Sequence, residues 1–426
     1  MRAAAGVHRE EDAGVPLGTV VALAALASSC EVERLELEGF SAVKPVVVDE
    51  LLPRALPACL TAAEEQELSR RLWALGLFDD VAVERRDRVI HVRVREKWTL
   101  IPIPEVGTAK TLRDSYASLT LTESNVAGRA IECGAWVAYY QLAWTGEGWC
   151  GEHQNHARAI SFEGSLGYSG SGFEFDGTPW SWERRRTGGQ VGLRLPFWYG
   201  TQWRFALTLE GQREQLFGDF APSLAGDGVQ LGFGARAIWD RLAWNDLAPR
   251  GSRFVISGHP GVYLRSGVDK PRHSVTSQWL SSLAFSNRAA ILANVVVEGA
   301  SPGDPNHSFL LGSVPSWRMF AIGGVRGLAD NRFRNAFHAF GNLEGRYAVD
   351  LGKRWFLQGV AFVDGGTFAP MNAVGDVEPP LGALSVGGGV RVVPTFLAWL
   401  VPRVDAGRAL APTPGWFVLT GLSQYF

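Results

Sequence analysis

From residue 98 onward the chain repeats one pattern: segments of roughly ten residues in which apolar and polar side chains alternate, separated by turn formers. Trp203-Arg204-Phe205-Ala206-Leu207-Thr208-Leu209-Glu210 puts Trp, Phe and two Leu on one face and polar or small residues on the other. Val229-Gln230-Leu231-Gly232-Phe233 does the same, with Trp239 on the same parity. Phe337 to Arg346 gathers His338, Asn342, Glu344 and Arg346 on one parity. A period of two belongs to extended backbone, not to a helix. One face suits lipid and the other a hydrated lumen, which is the pattern of a transmembrane β-barrel. A soluble sandwich alternates too, but does not account for so many aromatics at strand ends.

Composition agrees. There are 50 Gly and 16 Trp but only 3 Met, a balance foreign to helix-rich enzymes and suited to tight hairpins and aromatic girdles. After residue 30 no apolar run approaches the roughly 20 residues of a spanning helix. Mean hydropathy is +0.01, as alternation would average out. Lys and Arg number 41 against 43 Asp and Glu, a net charge of -2, which gives no reason to expect nucleic acid.

Connection lengths are asymmetric. Short turns (Asn125–Gly128, Trp198–Thr201, Asn287–Ala289, Leu351–Lys353, Pro394) alternate with longer polar or Gly-rich stretches (Leu142–Asn155, Glu214–Gly228, Ala300–Asn335, Phe368–Leu381). Short periplasmic turns and long external loops have this asymmetry, and the segmentation gives about sixteen strands. Gly170–Arg186 is the least well patterned stretch.

Residues 1–30 read as an export signal: Val15 to Ala27 is mostly apolar and Ala25-Leu26-Ala27 fits a cleavage site. Arg2 and Arg9 are set against Glu10, Glu11 and Asp12, so the n-region is weak. Ala27-Ser28-Ser29-Cys30 resembles a lipoprotein box without its usual Leu, so lipidation at Cys30 is the lesser expectation. The four cysteines lack metal or redox spacing; an exported chain could pair Cys133 with Cys150, and the sequence leaves the pairing open.

Residues 31–97 read as a small β-α-α-β-β module. Arg34 to Glu38 alternates as a strand and stops at Gly39; Val47 to Leu56 is a short helix interrupted by Pro53. Thr61 N-caps a second helix, Glu64 completes a capping box, and Leu68, Leu72 and Leu75 form its apolar stripe before Gly76. Strands Val81–Glu84 and Val89–Val94 follow, joined by a charged turn. Gly76, Phe78 and Val81 fill a Gly-x-Phe-x-x-Val pattern, and with it this stretch resembles a POTRA domain.

The barrel segment carries further motifs. Gly323-Gly324-Val325-Arg326-Gly327-Leu328, Phe362-Val363-Asp364-Gly365-Gly366, Asp240 to Pro249-Arg250-Gly251 and Asn125-Val126-Ala127-Gly128 occur in an order that resembles the BamA/TamA superfamily of outer-membrane proteins. Leu328 stands where that family has an aromatic. The resemblance implies a mainly β fold, with one small POTRA-like domain before an antiparallel barrel (98–426). It implies that Arg326, on a loop folded into the lumen, meets Asp364, with Gly323, Gly324, Gly327, Phe362 and Gly366 as supporting positions. Leu419-x-Gly421-x-x-Gln424-x-Phe426 resembles a terminal β-signal, whose strand would close on the first strand, about Trp98–Thr108, with Tyr425 and Trp98 at the seam. Pro102 and Pro104 remove ladder donors there and weaken pairing.

The function implied is assembly, insertion or translocation of outer-membrane or secreted polypeptides from the periplasm. Its partners would be unfolded polypeptide clients, outer-membrane lipid and periplasmic or lipoprotein accessory factors. A single module departs from the several carried by the family's main insertases. The alternative is a channel or structural surface-antigen barrel. No nucleophile elbow, phosphate loop or carboxylate pair suggests an enzyme, and no cofactor is implied. Cys150, Glu152, His153 and His156 read as a solvated loop rather than a metal site.

Overall fold

The computed structural model describes residues 30–107, 116–140, 143–152, 160–175, 178–195, 203–218, 226–242, 247–265, 268–302, 309–311, 324–328, 333–352, 354–372, 376–394 and 401–422. Residues 1–29, His153, His156, Gly323, Tyr425 and Phe426 lie outside these. The chain divides into two compact units, Met1–Lys97 and Trp98–Phe426.

In the first unit, β1 (Glu31–Val32) and β3 (Ala58–Cys59) form a two-stranded ribbon that the sequence pattern does not announce. A disulfide joins Cys30 to Cys59 beside it, so this sulfur carries a protein crosslink rather than a lipid. A three-stranded sheet runs in the order β2 (Arg34–Glu38), β5 (Val89–Glu96), β4 (Phe78–Arg86), with β2 parallel to β5. Helix α1 is Pro45–Leu51, starting and ending earlier than periodicity suggests. Pro45 at its first turn has the φ that a helix start needs, while Pro53 cannot continue one. Helix α2 is Ala62–Ala74, with the Thr61–Glu64 capping box formed and Gly76 at φ +68 just past its end.

Val47, Val48, Leu51, Leu68, Leu72, Ile90 and Val92 form this unit's buried core, with Phe78 and Val81 also buried. Each fully buried aliphatic side chain contributes roughly 1.5–3 kcal/mol before entropy is counted. Arg85 ties the ribbon down, donating to the carbonyls of Leu60 (3.1 Å) and Glu31 (3.1 Å) and pairing with Glu65 (2.9 Å). At the end of β5 the Glu96 carboxylate accepts from the backbone N–H groups of Ser41 (3.0 Å), Ala42 (2.8 Å) and Val43 (2.8 Å). Burial pushes its pKa up, but these donors and the Ser41 hydroxyl outweigh burial and hold it below the ordinary glutamate value.

The second unit is a closed antiparallel barrel. Its first wall comprises β6 (Leu100–Gly107), β7 (Tyr116–Val126), β8 (Ile131–Tyr140) and β9 (Ala143–Glu152). Next come β10 (Ile160–Phe175), β11 (Thr178–Leu195), β12 (Trp203–Gly218) and β13 (Gly226–Asp240). Three staves are each interrupted: β14 (Gly251–His259) with β15 (Gly261–Arg265), β16 (Val268–Pro271) with β17 (Ser274–Ala284), and β18 (Ala289–Ala300) with β19 (Phe309–Leu311). The last five are β20 (Phe333–Gly352), β21 (Trp355–Pro370), β22 (Leu381–Pro394), β23 (Arg403–Ala411) and β24 (Gly415–Gly421). Among the described residues these make sixteen staves, and β24 lies beside β6. No described helix is long and apolar enough to cross a membrane.

One loop assignment from the sequence needs correction, and the least well patterned stretch finds its place. Most of Leu142–Asn155 is strand β9, and Gly170–Arg186 belongs to the β10–β11 hairpin. Gly146 and Gly148 break the apolar stripe in β9, as Gly170, Ser171 and Gly172 do in β10, and backbone pairing supplies what the pattern lacks. Cys150 and Glu152 therefore sit on β9, and Cys150 forms a disulfide with its cross-strand partner Cys133. The turn assigned to Pro394 also moves, since β22 runs through Pro394 and β23 starts at Arg403.

Alternation fixes the two faces of the wall. On β20 the even positions Asn342, Glu344 and Arg346 are buried, while Leu343, Tyr347 and Val349 are exposed. Register then carries this parity across the sheet, setting Glu344 opposite Phe362 and Asn342 opposite Asp364. The apolar side chains Leu209, Leu231, Val363, Val390 and Val418 face outward.

Candidate functional site

The lumen face of β20 to β24 carries charge where a soluble protein would carry methyl groups. Arg326, Glu344, Asp364, Arg391 and Asp405 are each 0 % exposed. Arg326 lies on the inward segment Gly324–Leu328, between β19 and β20. Its Nε and Nη2 donate to Asp364 Oδ2 (2.6 Å) and Oδ1 (2.8 Å), a bidentate fork, and its backbone N–H adds a third bond at 3.1 Å. Nη1 reaches Glu344 at 3.1 Å and stands 3.7 Å from Asp405. The guanidinium carbon lies 3.4 Å from the centroid of the Phe362 ring, a cation–π contact within a desolvated site.

Glu344 is the hub. Arg391 contacts both its oxygens at 2.8 Å, and Arg346 donates to it at 2.5 Å. Arg403 donates to Asp405 at 2.9 Å. Burying so many charges is tolerable only because each finds an opposite charge in good geometry; removing one member would leave the others buried and uncompensated.

A chain of amides holds the inward segment from the other side. Gln278 donates to Asn294 (2.9 Å), Asn294 to Asn342 (3.1 Å), and Asn342 to the Gly324 carbonyl (2.7 Å). Gly327 has φ +88, and a Cβ there would come within 2.5 Å of the Phe417 ring on β24. The segment thus rests directly on the last stave. Gly366 faces Phe340 across the β20–β21 ladder so closely that a Cβ would lie 2.3 Å from the Ala339 carbonyl oxygen. Gly421 leaves room for Arg403, whose Nε would be 2.7 Å from an added Cβ.

Apolar layers lie on both sides of the charges. Toward one end, Val325 and Leu328 pack with Val296, Phe340 and Phe368. Toward the other, where β6 begins and β24 ends, the segment after β13 turns inward. Leu247 there packs against Ala348, Val393 and Val401, and Ala248 against Leu280, Ala290 and Leu292. Gln358 donates to the Leu247 carbonyl (3.1 Å) and Ser282 to that of Pro249 (2.5 Å). A second buried pair, Arg272 with Glu214 at 2.6 Å, sits across the lumen wall, its guanidinium 4.0 Å from the Tyr263 ring centroid.

The structure brings Gly324, Arg326, Gly327, Phe362, Asp364 and Gly366 together, with Phe417 and the Gly421 end of β24 alongside. Trp98 is 77 % exposed and takes no part. Gly76, Phe78 and Val81 lie in the other unit. The residues that sequence reasoning missed are Arg391, Arg403, Asp405, Gln278, Asn294 and the Leu247–Pro249 segment; inward parity on β22 and β23 was the available signal for the charged three. Among the described residues no cluster of His, Cys, Asp and Glu could hold a metal.

Fold and lumen together define the class: a transmembrane-type antiparallel barrel whose lumen holds inward-folded segments. Among solved structures, BamA from Haemophilus ducreyi lacking POTRA domains 1–3 is similar over 92 % of this chain and 84 % of that one, with TM-score 0.57 and 13 % identity. CdiB from Escherichia coli matches over 93 % of this chain and 77 % of its own, with TM-score 0.64 and 12 % identity. CdiB from Acinetobacter baumannii matches over 93 % and 74 %, with TM-score 0.64 and 11 % identity. No family model and no curated protein matches the sequence. At such identities the likeness is one of fold.

Proposed function

We propose that this chain is an outer-membrane barrel that inserts or passes other polypeptides, handing them from a single POTRA-like periplasmic module to the seam between β24 and β6. The observation that carries the reading is the packed lumen. From β17 to β24 its inner face is covered by an ionic layer between two apolar plugs, which suits a barrel whose traffic does not run freely down its centre.

The seam supplies the alternative route. Among the described residues β24 has seven and β6 eight, against twenty in β20. Pro102 and Pro104 on β6 offer no N–H to a neighbour. Short ladders with missing donors are the part of a barrel wall that opens at least cost. In the N-terminal unit the exposed sheet face is a mosaic of charge, with Glu36 near His91 and Glu38 near Arg93, so a client would add as a strand at a sheet edge rather than settle on the face. Clients, lipid and accessory factors are the partners this implies.

The test is to lock the seam. Native cysteines are held in disulfides, so a bismaleimide reacts with an introduced pair alone; Leu100→Cys on β6 with Val418→Cys on β24 places the pair at exposed positions of adjacent staves. In outer-membrane vesicles the locked chain should lose insertion of a model barrel client while the single-cysteine controls keep it. Equal insertion by the locked chain would overturn the reading, and steady single-channel conductance by the native chain would put the channel in its place.

A further inference from the structure

We propose that the outer surface of the barrel at Arg241, Arg250, Ser252 and Ser281 binds the headgroup of an anionic phospholipid, at the end where β6 begins and β24 ends. The proposal rests on the outer-membrane reading and adds to it a lipid class and the residues that select it.

Register builds the site from four adjacent staves. Trp203 on β12 lies opposite Trp239 on β13, Trp239 opposite Phe254 on β14, and Phe254 opposite Trp279 on β17. Cross-strand partners share a face, and Trp203 and Trp279 are exposed, so the four rings form one outward row. Such rows mark the depth at which a bilayer passes from acyl chains to headgroups. One step nearer the barrel end the outward chemistry changes. Arg241 follows on the face of Trp239, its guanidinium carbon 5.5 Å from that ring's centroid. Its backbone N–H donates to the Ser252 carbonyl (2.9 Å), and Ser252 lies opposite Ser281, their hydroxyl oxygens 2.8 Å apart.

The path of the chain brings a second guanidinium to the same spot. After turning inward beyond β13 it returns through Gly251, which has φ +102 and where a Cβ would lie 2.1 Å from the Arg241 carbonyl oxygen. Only a residue without a side chain lets the two backbones meet so closely. Arg250, next along the chain, is exposed at the rim and donates to Asn287 Oδ1 (3.1 Å), a neutral acceptor.

These groups suit a phosphodiester. Guanidinium forks match phosphate oxygens in geometry and charge. The two serine hydroxyls share one hydrogen bond, which leaves one O–H to donate to a further acceptor. Among the described residues, the outward positions of β13, β14 and β17 at this end hold no carboxylate; Asp240 has the opposite parity and stands 3.8 Å from Arg253. The other end of the same wall differs. There Arg213 is forked to Asp227, and Asp269 is exposed opposite Leu264. Positive charge is therefore offered to lipid at one end and offset at the other, and basic sites of the first kind bind anionic headgroups.

The experiment titrates the full chain in detergent with phosphatidylglycerol, phosphatidylcholine and lipid A, reading bound lipid by native mass spectrometry. Phosphatidylglycerol should bind about tenfold more tightly than phosphatidylcholine, whose choline cation would meet the two guanidiniums. Arg241→Gln with Arg250→Gln should abolish that preference, and Arg213→Gln at the other end should leave it intact. Equal binding of the two phospholipids by the native chain overturns the proposal. So does a preference that survives the double substitution or falls as far with Arg213→Gln. Lipid A binding as tightly as phosphatidylglycerol, and with the same dependence on Arg241 and Arg250, overturns the phospholipid as the occupant. Should the double variant fail to fold, Ser281→Cys in the otherwise native chain is placed in nanodiscs of either phospholipid. Its labelling by N-ethylmaleimide, relative to Leu264→Cys at the other end, should be several-fold slower in phosphatidylglycerol; equal ratios in the two lipids overturn the site. Lipid binding needs neither client nor open seam, so its failure is distinguishable from failure of the insertion reading.

Discussion

In the N-terminal unit Leu68, Leu72, Ile90 and Val92 meet one another and the charges face outward; in the barrel Leu209, Leu343 and Val390 face outward, and Arg326, Glu344, Asp364 and Arg391 meet in the middle. The first arrangement is non-directional. Methyl groups need only fill space, and each contributes largely on its own. The second is directional, since every buried oxygen and nitrogen must be met at the right distance and angle. One core should fail piecemeal and the other as a unit.

The largest break should come from Arg326→Ala, which strands Asp364 and leaves Glu344 one donor short; a loss of about 3–5 kcal/mol is expected for such a buried partner. Heat-modifiable gel mobility would measure it. Adding Asp364→Ala should restore part of the loss, and a double variant that is simply the sum of the singles would remove the claim of a coupled core. Next in size is Leu72→Ala in the apolar core, at about 2–5 kcal/mol. Hydrogen exchange in residues 45–96 should rise while the barrel's gel mobility is unchanged, and a change in both would break the contrast.

Glu96 sharpens it from the side of pH. Its folded pKa is lowered, so its stabilisation is present above the unfolded value and is lost as pH falls through the folded one. Protease sensitivity at residues 39–44 should therefore increase as pH drops below about 4, the ordinary glutamate range, and Glu96→Gln should give the same sensitivity at neutral pH, with a cost of about 1 kcal/mol. If that variant kept its pH response, the carboxylate would not be the cause. The smallest effect expected is Thr61→Ala, about 1 kcal/mol from the lost cap, read as faster exchange in the first turn of α2.

The sequence and the structure meet where local rules are strict. The capping box at Thr61 and Glu64 and the parity of β20 follow from spacing alone, because a helix start and a half-buried strand each admit few patterns. The Arg326–Asp364 contact was reached through motif order, with parity supplying the face. Arg391, Arg403 and Asp405 were legible only as inward positions; that Arg391 meets Glu344 while Asp405 joins Arg403 and nears Arg326 depends on how staves curl and stagger, which no single strand encodes. β9 was misread because its glycines leave no apolar stripe, and the β1–β3 ribbon because two residues per strand carry no periodicity. The Leu247–Pro249 plug was hidden by its brevity: three small or apolar residues near a turn look the same whether they point out or in.

The dry ionic layer also orders events in time. A guanidinium cannot shed its hydration and cross an apolar plug to reach carboxylates already sealed behind it. Arg326 must therefore find Asp364 while the sheet is still an open ribbon, before β24 swings onto β6. The seam is then the last contact made during biogenesis. Pulse-labelled chains carrying cysteine pairs should become cross-linkable between loop and β21 before they do so between β24 and β6; the reverse order would mean that the wall closes first and the loop is threaded in afterwards.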